Sequence, residues 1–172
     1  MSGRDALLQT GFQLFLAHGF DGTGINEILA ATGLSKGAFY HHFTSKQVLY
    51  EEVIATFFPS PFDQMDWDAQ ARLPSTEQKQ AILDFYRQLV ASGEAVEADL
   101  TRYYALFFDS LSRLPRFSDE INLVYRRAIS ALAEALEQEG ATAEQATAEA
   151  RRFIAEQEGA LYLAAVAGLS LN

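Results

Sequence analysis

Apolar residues recur along nearly the whole chain at helical rather than strand spacing. Leu8, Phe12, Phe15 and Leu16 fall at i, i+4, i+7 and i+8 and predict a first helix over about residues 4–17. Gly19 is placed to end that helix in a left-handed conformation, with Phe20 folding back on Phe15. Thr23 then stands as the cap of a short helix whose inward positions are Ile25, Ile28 and Leu29. Thr32-Gly33-Leu34 reads as a tight turn, and Ser35 caps a helix from Lys36 to about Phe43, with Phe39 and Phe43 inward one turn apart. A fourth helix follows from Lys46 to about Phe58. Beyond a break bounded by Pro59, Pro61 and Pro74, helices are predicted over about residues 76–91, 98–113, 118–139 and 143–169. No alternating strand run is bounded by turn residues. The pattern predicts an all-α fold.

Composition refines this. A chain of 172 residues with 49% hydrophobic residues buries a real core. The absence of Cys excludes disulfides, thiolate zinc sites and cysteine nucleophiles. No apolar run follows a basic start, so no signal peptide is expected. The longest apolar stretch, Ala160 to Leu169, is too short to span a bilayer, and the expected location is cytoplasmic with no membrane partner. The formal charge of -10 argues at first against nucleic acid. Its distribution removes that objection. Residues 1–50 hold three bases (Arg4, Lys36, Lys46) and three acids (Asp5, Asp21, Glu27), so the deficit lies wholly in the remainder.

Two short helices joined by a Gly-containing turn form the helix-turn-helix pattern, whose second helix enters the DNA major groove. Short helix pairs of this kind also occur in ordinary bundles. The chemistry of the second helix distinguishes this one. With Phe39 and Phe43 inward, Lys36, Gly37, Ala38, Tyr40, His41 and His42 face outward or sideways. Small residues permit close approach to base edges, and Tyr, His and Lys donate to phosphates or bases.

The stretch Thr23 to Leu49, TGINEILAATGLSKGAFYHHFTSKQVL, resembles the DNA-binding region of the tetracycline-repressor (TetR) family. The resemblance covers about residues 4–57. It implies an N-terminal three-helix DNA-binding domain over residues 1–46 and a helical effector-binding and dimerisation domain over residues 47–172. It further implies that Thr23, Ser35, Tyr40, His41, His42 and Lys46 contact phosphates, and that Lys36, Gly37 and Ala38 lie nearest the base edges. The implied function is that of a homodimeric repressor released from a palindromic operator in double-stranded DNA by a small-molecule effector of unspecified identity. Two alternatives stand beside it. One is a constitutive DNA binder or activator without ligand, the other a ligand-binding helical module with weak DNA binding.

Within residues 47–172, Trp67, Phe85, Tyr86, Tyr103, Phe107, Phe108, Tyr125 and Tyr162 serve either as core or as the lining of a ligand pocket, where Arg102 and Asp109 are available as polar groups. Ile129, Leu132 and Leu136 on one long helix and Phe153, Gln157, Leu161 and Ala164 on the last form stripes that pack internally or against a second copy. His41-His42 is not a metal site on this pattern, since adjacent helical residues diverge by about 100° and no ligand lies a turn away. No nucleophile elbow, phosphate loop or dinucleotide glycine pattern occurs, so no catalytic residue, no cofactor and no enzymatic activity are expected.

Overall fold

The computed structural model describes residues 2–58, 66–95 and 100–167. Among them are nine helices and no strand: α1 (Gly3–Gly22), α2 (Ile25–Thr32), α3 (Lys36–His42), α4 (Lys46–Phe57), α5 (Trp67–Gln70), α6 (Ser75–Ala95), α7 (Leu100–Arg113), α8 (Pro115–Gln138) and α9 (Ala143–Ala167). The all-α expectation holds. Local capping explains where the early helices start. The Ser2 hydroxyl accepts from the Asp5 amide at 3.1 Å, and the Asp5 carboxylate accepts from the Ser2 amide at 3.0 Å. The hydroxyls of Ser35 and Ser45 each accept from the amide three residues on, at 3.1 Å. Gly33 ends α2 at φ 69°, donating its amide to Leu29, so a left-handed residue is required there.

Two features differ from the expectation. Helix α1 does not stop at Gly19. It is interrupted there (φ 71°, ψ 176°) and resumes to Gly22. The interruption is stabilised from outside the helix: the Thr23 hydroxyl donates to the carbonyls of Leu14 (3.1 Å) and Gly19 (2.8 Å). Phe20 still comes back on Phe15, with ring centroids 6.1 Å apart. Nor does Thr23 cap α2. Gly24 takes that place, its amide donating to the Glu27 carboxylate at 3.4 Å.

The chain divides into two compact units. The first comprises Met1–Pro59 and Arg102–Ser118, the second Ser60–Thr101 and Asp119–Asn172. In the first, α1 lies along α4: Phe12 stacks on Phe57 at 4.4 Å, and Phe15 meets Tyr50 edge-on at 5.0 Å. Ile28, Phe39 and Phe43 close this core from α2, α3 and the residue following α3. Burial of these large side chains supplies about 1.5–3 kcal/mol each and holds the short helices α2 and α3, which would not persist alone.

In the second unit Leu132, Ala133, Leu136, Ala146 and Ala150 form a cluster, with Ile129 and Phe153 packed against it. Here the expected dimer stripe is corrected. Leu132 (0% exposed), Leu136 and Leu161 are buried within the single chain and are not available to a second copy. Their stripe faces the chain's own helices. Ile129 and Phe153 are half-buried on the same cluster. The start of α6 is fastened by Glu139, whose carboxylate accepts from the Ser75 amide and hydroxyl, both at 2.7 Å. Lys79 donates to Glu149 at 2.6 Å and lies over the Phe153 ring. The hydroxyls of Tyr86 and Tyr125 converge on one oxygen of Glu158. Among the described residues no helix is long and apolar enough to cross a membrane.

Candidate nucleic-acid interface

The outward face is built by what α3 buries. Phe39 and Phe43 are almost wholly buried, which fixes the rotation of the helix and leaves Lys36, Gly37, Tyr40 (46% exposed) and His41 on its open side, with Ser35 at its start. Ala38 and His42 sit half-buried at the edges. His42 leans toward the start of α1, its Nε2 3.4 Å from where a Cβ on Gly3 would lie, and its ring is 5.1 Å from that of His41. Seven of the nine residues expected to face DNA therefore share one short surface.

The other two do not. Thr23 is fully buried and its hydroxyl is committed to Leu14 and Gly19, so that side chain holds the end of α1 and is no phosphate contact. Lys46 donates to the carbonyls of Phe20 (2.6 Å) and Thr23 (2.8 Å) and lies 4.2 Å from the centre of the Phe20 ring. Its ammonium is turned into the fold. Arg4 is paired with Glu52. Among the described residues 2–50, Lys36 is the remaining Lys or Arg, and it has no intrachain partner.

In the same unit Tyr50, Arg113, Asp21 and Ser110, which the sequence does not single out, form a connected set with Phe20 and Asp109. Arg113 donates to Asp109 at 2.7 Å and to Asp21, and stacks 4.8 Å from the centre of the Phe20 ring. Tyr50 donates to Asp109 at 2.8 Å and sits 2.9 Å from the Ser110 hydroxyl. Burial pushes the Tyr50 hydroxyl above its ordinary range, with the neighbouring Asp109 adding to the effect, so it remains a donor. The Asp109 hydrogen bond keeps Arg113 charged. The links of Tyr50 to Asp109 and of Arg113 to Asp21 cross 59 and 92 residues and leave no periodic trace, whereas Arg113–Asp109 is an i,i+4 pair within α7.

A cleft of about 370 Å³ lies beside this set. Phe15, Leu16, Phe20, Leu106, Arg102 and Asp109 are among its lining residues. It thus brings together Arg102 and Asp109, but none of the eight aromatic residues expected at a pocket lines it. Three of those, Tyr103, Phe107 and Phe108, belong to the first unit, where Tyr103 stacks on Phe58 at 4.6 Å and Phe107 meets Phe117 at 5.8 Å. Phe85, Tyr86, Tyr125 and Tyr162 belong to the second. The side chain of Trp67 lies outside the described residues. Among the described residues no three His, Cys, Asp or Glu side chains are grouped to hold a metal.

Comparison with known proteins agrees with this geometry. The sequence profile described as bacterial regulatory proteins, tetR family, matches residues 7–53, the stretch that builds α1 to α4. Over residues 7–53 the chain is similar to that family. The helix-turn-helix formed by α2 and α3 lies within the matched stretch. The chain is 40% identical over 55 residues to the HTH-type transcriptional repressor DhaR of Mycobacterium sp. (strain GP1), covering 32% of this chain and 28% of DhaR. It is 50% identical over 44 residues to the HTH-type transcriptional repressor NemR of Escherichia coli (strain K12), covering 26% of this chain and 22% of NemR. It therefore spans less than a third of either relative. A TerR/AcrR-family transcriptional regulator from Aquifex aeolicus VF5 is similar in fold, with a TM-score of 0.64, 21% identity, and coverage of 99% of this chain and 91% of the other. The likeness in fold extends beyond the matched region.

Proposed function

We propose that the protein is a sequence-specific transcriptional repressor, binding a palindromic operator as a homodimer and released by a small-molecule effector. The observation that carries this reading is the exposed face of α3. Its one unengaged base, Lys36, stands beside Gly37 and Tyr40 on a helix held in place by two buried phenylalanines. A single Lys beside small residues suits contact with guanine O6 and N7. The repressor names of DhaR and NemR support the sign of regulation.

The partner copy is best seated on α9. Ala148, Ala155, Gly159, Leu163 and Val166 (63% exposed) follow one another at seven-, four-, four- and three-residue steps. They make a stripe of small then apolar residues on the open side of the helix, with Tyr162 beside it. A two-fold packing of such stripes buries them and delivers two reading heads. Of the residues expected at the interface, Gln157 and Ala164 remain compatible with its margin. The effector belongs, in this reading, to the second unit, where the Tyr86 and Tyr125 hydroxyls and Glu158 supply convergent polar groups. The domain division at residues 46 and 47 is retained as a functional one, separating the reading helices from the rest.

Selecting duplexes from a random pool with the full chain tests the proposal. Enrichment of a palindrome bound by two protomers supports it. A pool that stays random at 50 mM salt, or a chain that sediments as a monomer at micromolar concentration on that DNA, refutes it.

A further inference from the structure

Phe20 is held from two sides. Lys46, at the start of α4, lies 4.2 Å from the centre of its ring while donating to the carbonyls of Phe20 and Thr23. Arg113, at the end of α7, lies 4.8 Å from the same ring and is paired with Asp21, one residue further along α1, and with Asp109. Tyr50 meets the Phe20 ring edge-on at 4.9 Å and donates to Asp109. The two carbonyls that Lys46 binds flank the point where α1 ends and the chain turns into α2. A positive charge over a ring face, shielded by its own hydrogen bonds, is a directional contact rather than a greasy one.

We infer that Lys46, Phe20 and Arg113 form a clamp that sets the angle of the α2–α3 pair, and that Lys46 is a positioning residue for DNA reading, not a phosphate contact. Its ammonium acts through Phe20 and the α1–α2 junction. Arg113, remote in sequence from the recognition helix, acts on the same ring. The inference rests on DNA reading by α3 and adds which residues aim it.

The test uses the full chain and two duplexes, one selected from a random pool and one scrambled, with affinity measured by fluorescence anisotropy between 50 and 200 mM KCl. For Lys46→Met the clamp predicts about tenfold weaker binding to the selected duplex, an unchanged affinity for the scrambled one, and an unchanged salt slope. Arg113→Gln shows the same selective loss, of about three- to tenfold, and the two losses are not additive because both pass through Phe20. Lys46→Arg keeps the ring contact and restores binding to within about threefold. If Lys46→Met does not fold, Phe20→Leu preserves apolar volume and gives the same selective loss. A phosphate role for Lys46 gives a different result: both duplexes weaken alike and the slope falls by about 0.9 for each lysine removed. That outcome, or an Arg113→Gln variant whose preference for the selected duplex is intact, overturns the inference. Absence of any preference in the parent chain instead overturns the DNA reading on which it rests.

Discussion

Tyr50→Phe isolates the contact that fastens α4 to α7. The Tyr50 side chain is fully buried, its ring lies between Phe15 at 5.0 Å and Phe20 at 4.9 Å, and its hydroxyl donates to Asp109 at 2.8 Å. Removing the oxygen leaves the ring packing intact, so no cavity term of consequence arises. Neither partner is orphaned: Asp109 keeps Arg113 at 2.7 Å, and the Ser110 hydroxyl keeps the Leu106 carbonyl at 2.7 Å. What is lost is one hydrogen bond to a charged acceptor, worth about 1.5–3 kcal/mol. Asp109 remains partly open to water and retains its guanidinium, which favours the lower end, about 1.5 kcal/mol. At about 2–4 °C per kcal/mol for a chain of this size, the melting temperature falls by roughly 3–6 °C. Urea unfolding is the cleaner assay, with a lower midpoint at an unchanged slope. Because burial keeps the hydroxyl protonated, the deficit is the same at pH 6 and pH 9. A variant within about 0.3 kcal/mol of the parent, or a deficit that disappears at pH 9, refutes this account of the α4–α7 junction.

Gly33→Ala strains the turn between α2 and α3, since φ there is 69° while a Cβ meets no atom within 4 Å. The cost is therefore conformational, about 1–2 kcal/mol in thermal or urea unfolding, and Gly33→Asn costs less. Glu139 is held below the usual carboxylate range by the Ser75 hydroxyl and amide. Its contribution is present at neutral pH and is lost as the pH falls through that lowered value. Glu139→Gln accordingly lowers the urea midpoint at pH 7, and the gap to the parent closes toward pH 3. A gap that widens on acidification contradicts the assignment.

What the sequence made legible was local. Ser35 and Ser45 as caps, Gly33 as the left-handed turn, and Phe39 with Phe43 as the buried side of α3 all follow from neighbours within four residues, and the structure has them so. Gly19 was misread because a left-handed glycine ends a helix only when nothing beyond it satisfies the freed carbonyls. Here Thr23 and Lys46 do so from four and 26 residues away. The role of Lys46 was hidden for the same reason: spacing and chemistry suit a phosphate contact, and only the folded chain shows Phe20 beneath it. Leu132, Leu136 and Leu161 illustrate a further limit. Periodicity identifies an apolar stripe but not whether the surface covering it belongs to the same chain. In the Asp21–Arg113–Asp109–Tyr50 set only Arg113–Asp109 has a local, i,i+4 spacing; the links to Tyr50 and Asp21 cross 59 and 92 residues and carry no local signal.

The central claim is that α3 reads base sequence through Lys36. Measuring the base preferences of the parent and of Lys36→Ala on all single-position variants of the selected duplex tests it most directly. The account predicts that discrimination collapses by about 1–3 kcal/mol at one base pair in each half-site while the other positions keep theirs. Unchanged preferences at every position, with only a uniform loss of affinity, would make Lys36 a backbone contact and contradict the claim.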